Sequence, residues 1–367
     1  MNQATLREYS LVIREMNQKP NKGRQFVREA RFYETLEDGS VKCGTCERRC
    51  RIRPGKVGFC QTRQNINGTL FTLVYGRVAS LSVNPIEKKP LHHFFPGSKA
   101  VTLGTSGCSF ICPWCQNYEL SRARPDELGA QYLGPEDLVE FTVKNRIQGL
   151  SYSFNEPTLQ LEHALAAFPR AKEAGLYNTY VTNGYMTLES LDLLIDHGLD
   201  AMNIDIKGDR VAVRKYCGGN VEYVWRNARH SIERGVHIEI TTLVIPGVND
   251  DEIYLRNIAK QIKEELGENT PFHVSRYFPQ YKFNRPPTPV RSLERAREIA
   301  IEEGLKFVYI GNVPGHPGEH TYCPSCGEMI IKRYSFYGTK CKLIEKSCPK
   351  CNETIPVVGR CMKNKRT

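Results

Sequence analysis

Short apolar segments alternate with amphipathic ones along most of the chain. The apolar segments predict strands at 100–106, 149–154, 177–182, 201–207, 237–245, 272–278 and 306–312. The segments between them repeat apolar positions with the period of a helix, at 135–147, 158–174, 187–197, 221–234, 251–266 and 291–303. Strands and helices in this alternation form a parallel sheet covered by helices. We therefore expect an α/β fold, a partial (β/α)6 barrel of the TIM type, with its chemistry at the carboxyl ends of the strands.

The N-terminal part has a different pattern. Residues 1–40 are expected to be helical or irregular, and residues 41–63 combine cysteines with Pro and Gly as in a metal-bound loop. Residues 69–83 alternate like a hairpin, and residues 84–97 are bounded by Pro and Gly and predict a loop.

The C-terminal part, from about residue 316, holds too little apolar sequence for a core of its own. We predict three regions: an N-terminal extension over 1–99, the barrel over 100–315, and a cysteine-bound appendage resembling a zinc ribbon over 316–367.

Composition and charge narrow the class of protein. With 40% apolar and 25% charged residues, the 367-residue chain is typical of soluble globular proteins. Its N-terminus has no apolar leader, and no run approaches the ~18 apolar residues of a membrane span, so we expect a cytoplasmic protein. The net charge of +11 falls to +6 if the cysteine groups described below carry two zinc ions (−2 per site) and an iron–sulfur core (−1). This mild excess makes nucleic-acid binding possible but does not favour it.

Fourteen cysteines in a chain of this length indicate metal sites, because disulfide scaffolds are short. Eleven of them fall into three groups: an N-terminal cysteine set (Cys43, Cys46, Cys50, Cys60), a cluster loop over residues 104–117 (Cys108, Cys112, Cys115) and a C-terminal cysteine set (Cys323, Cys326, Cys348, Cys351). We expect the remaining three, Cys217, Cys341 and Cys361, to be small buried apolar residues.

The cluster loop, GTSGCSFICPWCQN, has three cysteines spaced C-x3-C-x2-C directly after the first barrel strand. An iron–sulfur cubane takes one thiolate per iron. Three cysteines therefore leave one iron with an open position, which is the property of a catalytic metal site. The alternative is a zinc site that takes a fourth cysteine from elsewhere in the chain.

The segment CSFICPWC, with Trp114 before its last cysteine, resembles the signature of radical S-adenosylmethionine (SAM) enzymes. The resemblance implies a 4Fe–4S cluster at Cys108, Cys112 and Cys115, with the amino and carboxylate groups of SAM on the fourth iron. It also implies the radical SAM type of partial barrel.

Three further strand ends carry residues that the resemblance places at the SAM site. Asp205 and Lys207 form a D-x-K motif similar to that of pyruvate formate-lyase activating enzymes; a structural ion pair is the alternative. Asn155 and Glu156 stand where many members have G-G-E-P, which implies contact with the SAM amino group. Asn183, in a T-N-G segment, resembles a ribose contact, although a plain turn explains it as well.

The other two cysteine groups are metal sites of less defined kind. The C-terminal set, spaced C-x2-C-x21-C-x2-C, predicts structural zinc, with an auxiliary iron–sulfur cluster as the competitor. The spacing C-x2-C-x3-C-x9-C of the N-terminal set leaves zinc and an auxiliary cluster equally open. His92 and His273 could face a substrate, but packing explains each of them as well.

As a whole, the chain resembles the radical SAM component of the AmmeMemoRadiSam group and activases of glycyl-radical enzymes. This resemblance implies an external one-electron reductant of the flavodoxin or ferredoxin type, and partners of the Memo and AMMECR types. Two alternatives stay open, a radical SAM enzyme that modifies RNA and a non-catalytic zinc-ribbon protein that binds nucleic acid.

Overall fold

The computed structural model describes residues 24–335 and 338–362. The N-terminal strands are β1 (Arg28–Glu29), β2 (Tyr33–Thr35), β3 (Val41–Cys43), β4 (Arg51–Ile52), β5 (Arg63–Ile66), β6 (Thr69–Thr72), β7 (Arg77–Val78) and β8 (Ser80–Pro85). Six of these strands form two small antiparallel sheets, ordered β1-β6-β5 and β2-β3-β4. The other two, β7 and β8, pair with strands described below. Of the predicted lead-in, residues 1–23 lie outside the described residues, and the rest is irregular with short strands and a 3₁₀ turn (Arg24–Phe26) rather than helical.

The predicted hairpin over 69–83 is wrong. β6 pairs backwards with β5, and β8 pairs with the first strand of the barrel. The turn between β5 and β6 is Asn67-Gly68, and both residues have positive φ (52° and 86°). An Asn-Gly pair is the preferred two-residue hairpin turn, so this signal places the hairpin one strand earlier.

The main sheet is the predicted parallel sheet. Its parallel strands are β9 (Lys99–Gly104), β11 (Gly149–Tyr152), β12 (Tyr177–Thr182), β13 (Ala201–Asp205), β14 (His237–Val244), β15 (Phe272–Arg276) and β16 (Val308–Gly311). They lie in chain order, with β8 antiparallel at one edge and β16 at the other. A short strand in the connection after β9, β10 (Gln131–Tyr132), pairs with β7. The sheet is thus a partial barrel, as predicted.

Helices connect the parallel strands, and all except the two short helices α1 and α5 lie at the predicted positions. They are α1 (Tyr118–Arg122), α2 (Pro135–Lys144), α3 (Leu161–Glu173), α4 (Leu188–Asp196), α5 (Arg210–Ala212), α6 (Val221–Glu233), α7 (Glu252–Leu266) and α8 (Val290–Glu302). Short 3₁₀ segments occur at Ile86–Lys88, Pro157–Gln160 and Pro317–Glu319, and a π-helical turn at Val213–Cys217 follows α5. Local signals explain the helix starts: the Asp251 carboxylate accepts the Tyr254 N–H at 2.8 Å and caps α7.

Residues 86–98, which we call the plug, cross the amino ends of the strands. Apolar plug side chains, Phe94 among them, pack against the starts of β12 and β13 at Tyr177 and Ala201. The Glu239 carboxylate accepts the backbone N–H groups of His92 and His93 at 2.9 and 2.7 Å. The plug therefore closes the end of the barrel opposite the cluster loop.

The C-terminal appendage contains β17 (Thr321–Tyr322), β18 (Met329–Arg333) and β19 (Thr339–Cys341). It packs on Phe307 and Tyr309 beside β16, and Val358 pairs with the backbone of the plug. Its last residues, 363–367, lie outside the described residues. The appendage thus supports the plug from outside.

The three remaining cysteines divide between two environments. Cys217 is buried, as predicted. The prediction for Cys341 and Cys361 is wrong, because they form a disulfide with Cα atoms 6.2 Å apart. The reason is topological: the chain returns after β19 and brings Cys361 back beside it. Within the described residues, no helix is long and apolar enough to cross a membrane.

Candidate active site

The cluster loop lies at the carboxyl end of β9, where it borders a cavity of about 610 Å³ inside the barrel. This volume is within the range of ligand-binding pockets. Cys112 is buried, and Cys108 and Cys115 are partly buried. Burial raises the pKa of the Cys108 thiol to about 12, so a bound metal must displace a tightly held proton.

Asn155 fastens the backbone of the cluster loop. Its side-chain oxygen accepts the Thr105 N–H at 3.1 Å, and its amide group donates to the carbonyls of Ser106 and Gly107 at 3.2 and 2.9 Å. Both hydrogens of the amide group are therefore engaged with the loop. The preceding Phe154 has φ 70°, a left-handed conformation that fits the glycine expected there from the family pattern.

The buried Glu156 carboxylate joins the ends of β11 and β12. It accepts the Thr158 N–H and hydroxyl at 3.1 and 2.6 Å, the Thr182 hydroxyl at 2.7 Å and the Asn183 N–H at 2.9 Å. Burial raises the pKa of this carboxyl, and the hydrogen bonds act against that rise. Four accepted bonds fill most of the acceptor capacity of a carboxylate.

Two polar side chains face the sulfurs of the cluster loop. The Asn183 amide lies 3.7 Å from the Cys108 sulfur and 3.0 Å from the Ser109 hydroxyl. The Ser121 hydroxyl lies 3.1 Å from the Cys115 sulfur. Hydrogen bonds to ligand sulfurs tune a metal cluster. Asn183 was found from its T-N-G segment; Ser121 carries no sequence signal.

Asp205 and Lys207 form an ion pair at the cavity wall, with 3.0 Å between carboxylate oxygen and ammonium nitrogen. Burial acts to lower the pKa of Lys207, but the Asp205 carboxylate outweighs it and raises that pKa. Both residues line the same cavity as Cys112. The ion pair that the sequence analysis offered as the alternative is therefore present, and a role of the two residues at the SAM site stays a prediction.

Trp114 borders the cavity and packs into an aromatic group. It is 3% exposed and contacts the rings of Tyr216 and Phe283, each with centroids 5.3 Å away. The same contacts bring the turn after α5 and the segment after β15 against the cluster loop. This packing holds Cys115 in place through its neighbour.

Cys217 is a contact that the sequence did not indicate. Its sulfur lies 3.2 Å from that of Cys112. Two thiolates on one tetrahedral zinc ion lie roughly 3.8 Å apart, and thiolates on different irons lie farther apart still. Cys217 is therefore too close to Cys112 to occupy a separate corner of a cluster.

The plug end of the cavity is lined by polar side chains. Lys89, His92 and Arg333 all border it and are almost fully buried. Within the described residues, His92 Nδ1, Arg333 Nε and the Thr241 hydroxyl have no hydrogen-bond partner. His273 faces the cavity, as the strand pattern allowed, and its Nε2 lies 2.7 Å from the buried Glu239 carboxylate. Unpartnered buried polar atoms require a polar ligand or water.

The spacing of sulfurs tests which metal each cysteine group fits. Among the described residues, only the C-terminal set brings three or more such ligand atoms within 4.8 Å of one another. In that set, Cys323 and Cys351 sulfurs are 3.5 Å apart, and those of Cys326 and Cys348 are 3.7 Å apart. This spacing fits one zinc ion. The wider cluster loop fits a polynuclear cluster instead, because each thiolate then binds a different iron.

Comparisons with known proteins indicate the family of this chain. A family model described as the radical SAM superfamily matches residues 102–255. The chain is 45% identical over 335 residues to the uncharacterized protein MJ0808 of Methanocaldococcus jannaschii, covering 90% of this chain and 100% of that protein. It is 27% identical over 218 residues to the pyruvate formate-lyase-activating enzyme of Streptococcus mutans, covering 53% of this chain and 82% of that one.

Among solved structures, a domain of a pyruvate-formate lyase-activating enzyme from Bacteroides vulgatus aligns with a TM-score of 0.40 and 21% identity. The alignment covers 45% of this chain and 99% of that chain. The family match spans the strand, the cluster loop and the motifs around the cavity. This chain is a radical SAM enzyme and belongs to the radical SAM superfamily.

Proposed function

We propose that this enzyme cleaves SAM at the cluster loop and takes a hydrogen atom from a protein or small-molecule substrate held in the cavity. When bound, the 4Fe–4S cluster and SAM supply the chemistry: one-electron reduction releases methionine and a 5′-deoxyadenosyl radical. The observation that carries the proposal is that Cys108, Cys112 and Cys115 all border a cavity large enough for a ligand. Cys217 lies too close to Cys112, at 3.2 Å between sulfurs, to occupy a separate corner of a cluster.

The chain's own residues would bind and orient the reactants. We assign the charged pair Asp205 and Lys207 to the SAM end of the cavity, since both line the same cavity as Cys112. For Asn155 and Glu156 we propose a positioning role, with SAM contacted through the backbone they hold, because their side chains are engaged with the protein. Asn183 would tune the Cys108 sulfur rather than contact ribose.

The buried inner part of the cavity supports radical chemistry. The plug covers the end of the barrel opposite the cluster loop, and Lys89, His92 and Arg333, which line the cavity, are almost fully buried. Buried walls limit the access of water to a reactive intermediate. The polar atoms of His92 and Thr241, which line the cavity and have no partner among the described residues, would bind polar groups of the substrate.

The activity needs an external one-electron donor of the flavodoxin or ferredoxin type. We propose an activase-like reaction, in keeping with the named function of the activating enzymes to which this chain is similar. Participation of Memo-like and AMMECR-type proteins stays a prediction from the overall resemblance of the chain. We also propose structural zinc at the C-terminal set, supported by its sulfur spacing.

The test is an anaerobic assay for 5′-deoxyadenosine after reconstitution with iron and sulfide. Wild type should form it with SAM and a strong reductant, and Cys112→Ala should not. The matched control is Cys217→Ala, which removes a buried thiol 3.2 Å away that we do not count as a ligand. Product from Cys112→Ala, or iron loss from Cys217→Ala equal to that from Cys112→Ala, would refute the three-ligand site.

A further inference from the structure

The N-terminal cysteine set surrounds one buried space. Cys43, Cys46 and Cys60 are each less than 10% exposed, and Cys50 is partly buried. The walls of this space also include Arg63 and Leu159. Four thiols around a common enclosed space form a metal site rather than scattered core residues.

The sulfurs of this set are spread more widely than one zinc ion requires. Within the described residues, no three of them lie within 4.8 Å of one another, whereas all four of the C-terminal set do. Tetrahedral zinc holds its sulfurs roughly 3.8 Å apart. A four-cysteine iron–sulfur cluster distributes its thiolates over different irons and so needs the wider arrangement.

The surroundings of the sulfurs point the same way. The Thr62 hydroxyl lies 3.2 Å from the Cys60 sulfur, and that of Thr45 lies 3.6 Å from the Cys43 sulfur. The Arg63 guanidinium is 1% exposed and pairs with the Glu162 carboxylate at 2.6 Å, and its Nε, which has no partner among the described residues, belongs to a side chain that borders the space. A buried cation and hydroxyl groups beside sulfurs are groups that set the potential of a redox centre.

The N-terminal set also lies directly against the cluster loop. A Cβ atom on Gly107 would be 2.3 Å from the Cys60 carbonyl oxygen, so the two backbones touch one residue before Cys108. On the other side of Cys108, the Arg48 guanidinium donates to the Ser109 carbonyl and, at 3.0 Å, to that of Gly218. The two metal sites are therefore neighbours.

We propose that the N-terminal cysteine set binds a second iron–sulfur cluster, which exchanges electrons with the cluster at the cluster loop. In this step the second site takes one electron from the reduced flavodoxin- or ferredoxin-type donor and gives one electron to the first site. No bond is made or broken, and no proton is required. The electron-transfer part rests on the proposed function, but the metal assignment does not.

The metal assignment is tested on a variant that lacks the ligands of the cluster loop, Cys108→Ala, Cys112→Ala and Cys115→Ala together. After anaerobic reconstitution with iron, sulfide and zinc, this variant should retain about two to four irons per chain with matching sulfide. The matched variant, Cys43→Ala with Cys46→Ala, should lose that iron and keep the iron of the cluster loop. Zinc in place of iron in the first variant would overturn the proposal.

Wild type provides a second readout if a variant fails to fold. Wild type should bind about two to four irons more than a single 4Fe–4S cluster contains. A total of about four irons together with two zinc ions would overturn the assignment. Electron paramagnetic resonance of the reduced wild type should show broadening from two interacting centres. A spectrum equal to the sum of the two variant spectra would overturn the placement of the two clusters side by side, on which the proposed electron exchange rests. Two clusters without 5′-deoxyadenosine would refute the proposed function alone.

Discussion

Asn155→Ala separates a positioning role from direct SAM binding. The substitution removes three hydrogen bonds to the backbone of the cluster loop, at Thr105, Ser106 and Gly107. At about 1 kcal/mol for each bond, the loop loses roughly 3 kcal/mol of stabilisation. Because each 1.4 kcal/mol is tenfold in an equilibrium constant, the opened loop becomes about a hundredfold more populated.

Iron release to a chelator under anaerobic conditions measures this opening. We expect iron to leave Asn155→Ala up to about a hundredfold faster than wild type, with SAM affinity reduced only in proportion to the iron lost. Asn312→Ala removes a single side-chain bond to the Arg276 carbonyl and none to the cluster loop, so this matched control should release iron at the wild-type rate. Full iron retention in Asn155→Ala with weakened SAM binding would refute the positioning role and favour direct contact.

Three further predictions follow from other contacts. Gly107→Ala should destabilise the cluster loop and the N-terminal cysteine set by at least about 1–2 kcal/mol, because φ is +82° and the new Cβ meets the Cys60 carbonyl. Unchanged iron content and an unchanged urea midpoint would contradict this. The control is Gly175→Ala, which also has positive φ but lies in open space. Cys326→Ala should release one zinc ion and lower the free energy of unfolding by several kcal/mol, because the C-terminal cysteine set holds together the appendage that packs on Tyr309. Zinc retained by the purified variant would contradict this. Burial lowers the pKa of His163 to about 4, so this histidine stays neutral in the folded protein while the unfolded chain takes up a proton below about pH 6.5. Wild type should therefore lose about 2.5 kcal/mol through this group between pH 7.5 and 4.5, and His163→Gln should not lose that part; equal pH slopes in urea unfolding would refute it.

The barrel could be predicted from the sequence because its strands are buried on both faces. β11, for example, is buried at every position from Gly149 to Tyr152, and such runs between amphipathic helices have few other interpretations. Helix bounds also agree closely, since caps such as Asp251 are local signals. The misplaced hairpin had a local signal too, the Asn67-Gly68 turn.

The site was predictable where it is local and not where it is assembled from distant segments. The cysteines of the cluster loop are close in sequence, so their spacing alone indicates a metal site. The contact between Cys217 and Cys112 joins residues 105 positions apart, and the plug contact between His92 and Glu239 joins residues 147 apart. No periodicity or spacing encodes such contacts, because they depend on how loops meet after the sheet has formed.

The roles of Asn155 and Glu156 illustrate the same limit. Their position at the end of β11 follows from the sequence, but the partners of their side chains do not. The Asn155 amide group donates to the Ser106 carbonyl in the cluster loop, and the Glu156 carboxylate accepts the Thr182 hydroxyl at the end of β12. A motif therefore predicts that a residue lies near the site. It does not predict whether the side chain bonds to the ligand or to other residues of the protein.

We propose above all that SAM completes a three-cysteine cluster at Cys108, Cys112 and Cys115. Electron–nuclear double resonance on the reduced, reconstituted enzyme with SAM labelled at its amino nitrogen or carboxylate measures this directly. We expect hyperfine coupling between the cluster and the labelled atoms, and none in Cys112→Ala. A fully iron-loaded wild type that shows no coupling to either label would contradict it.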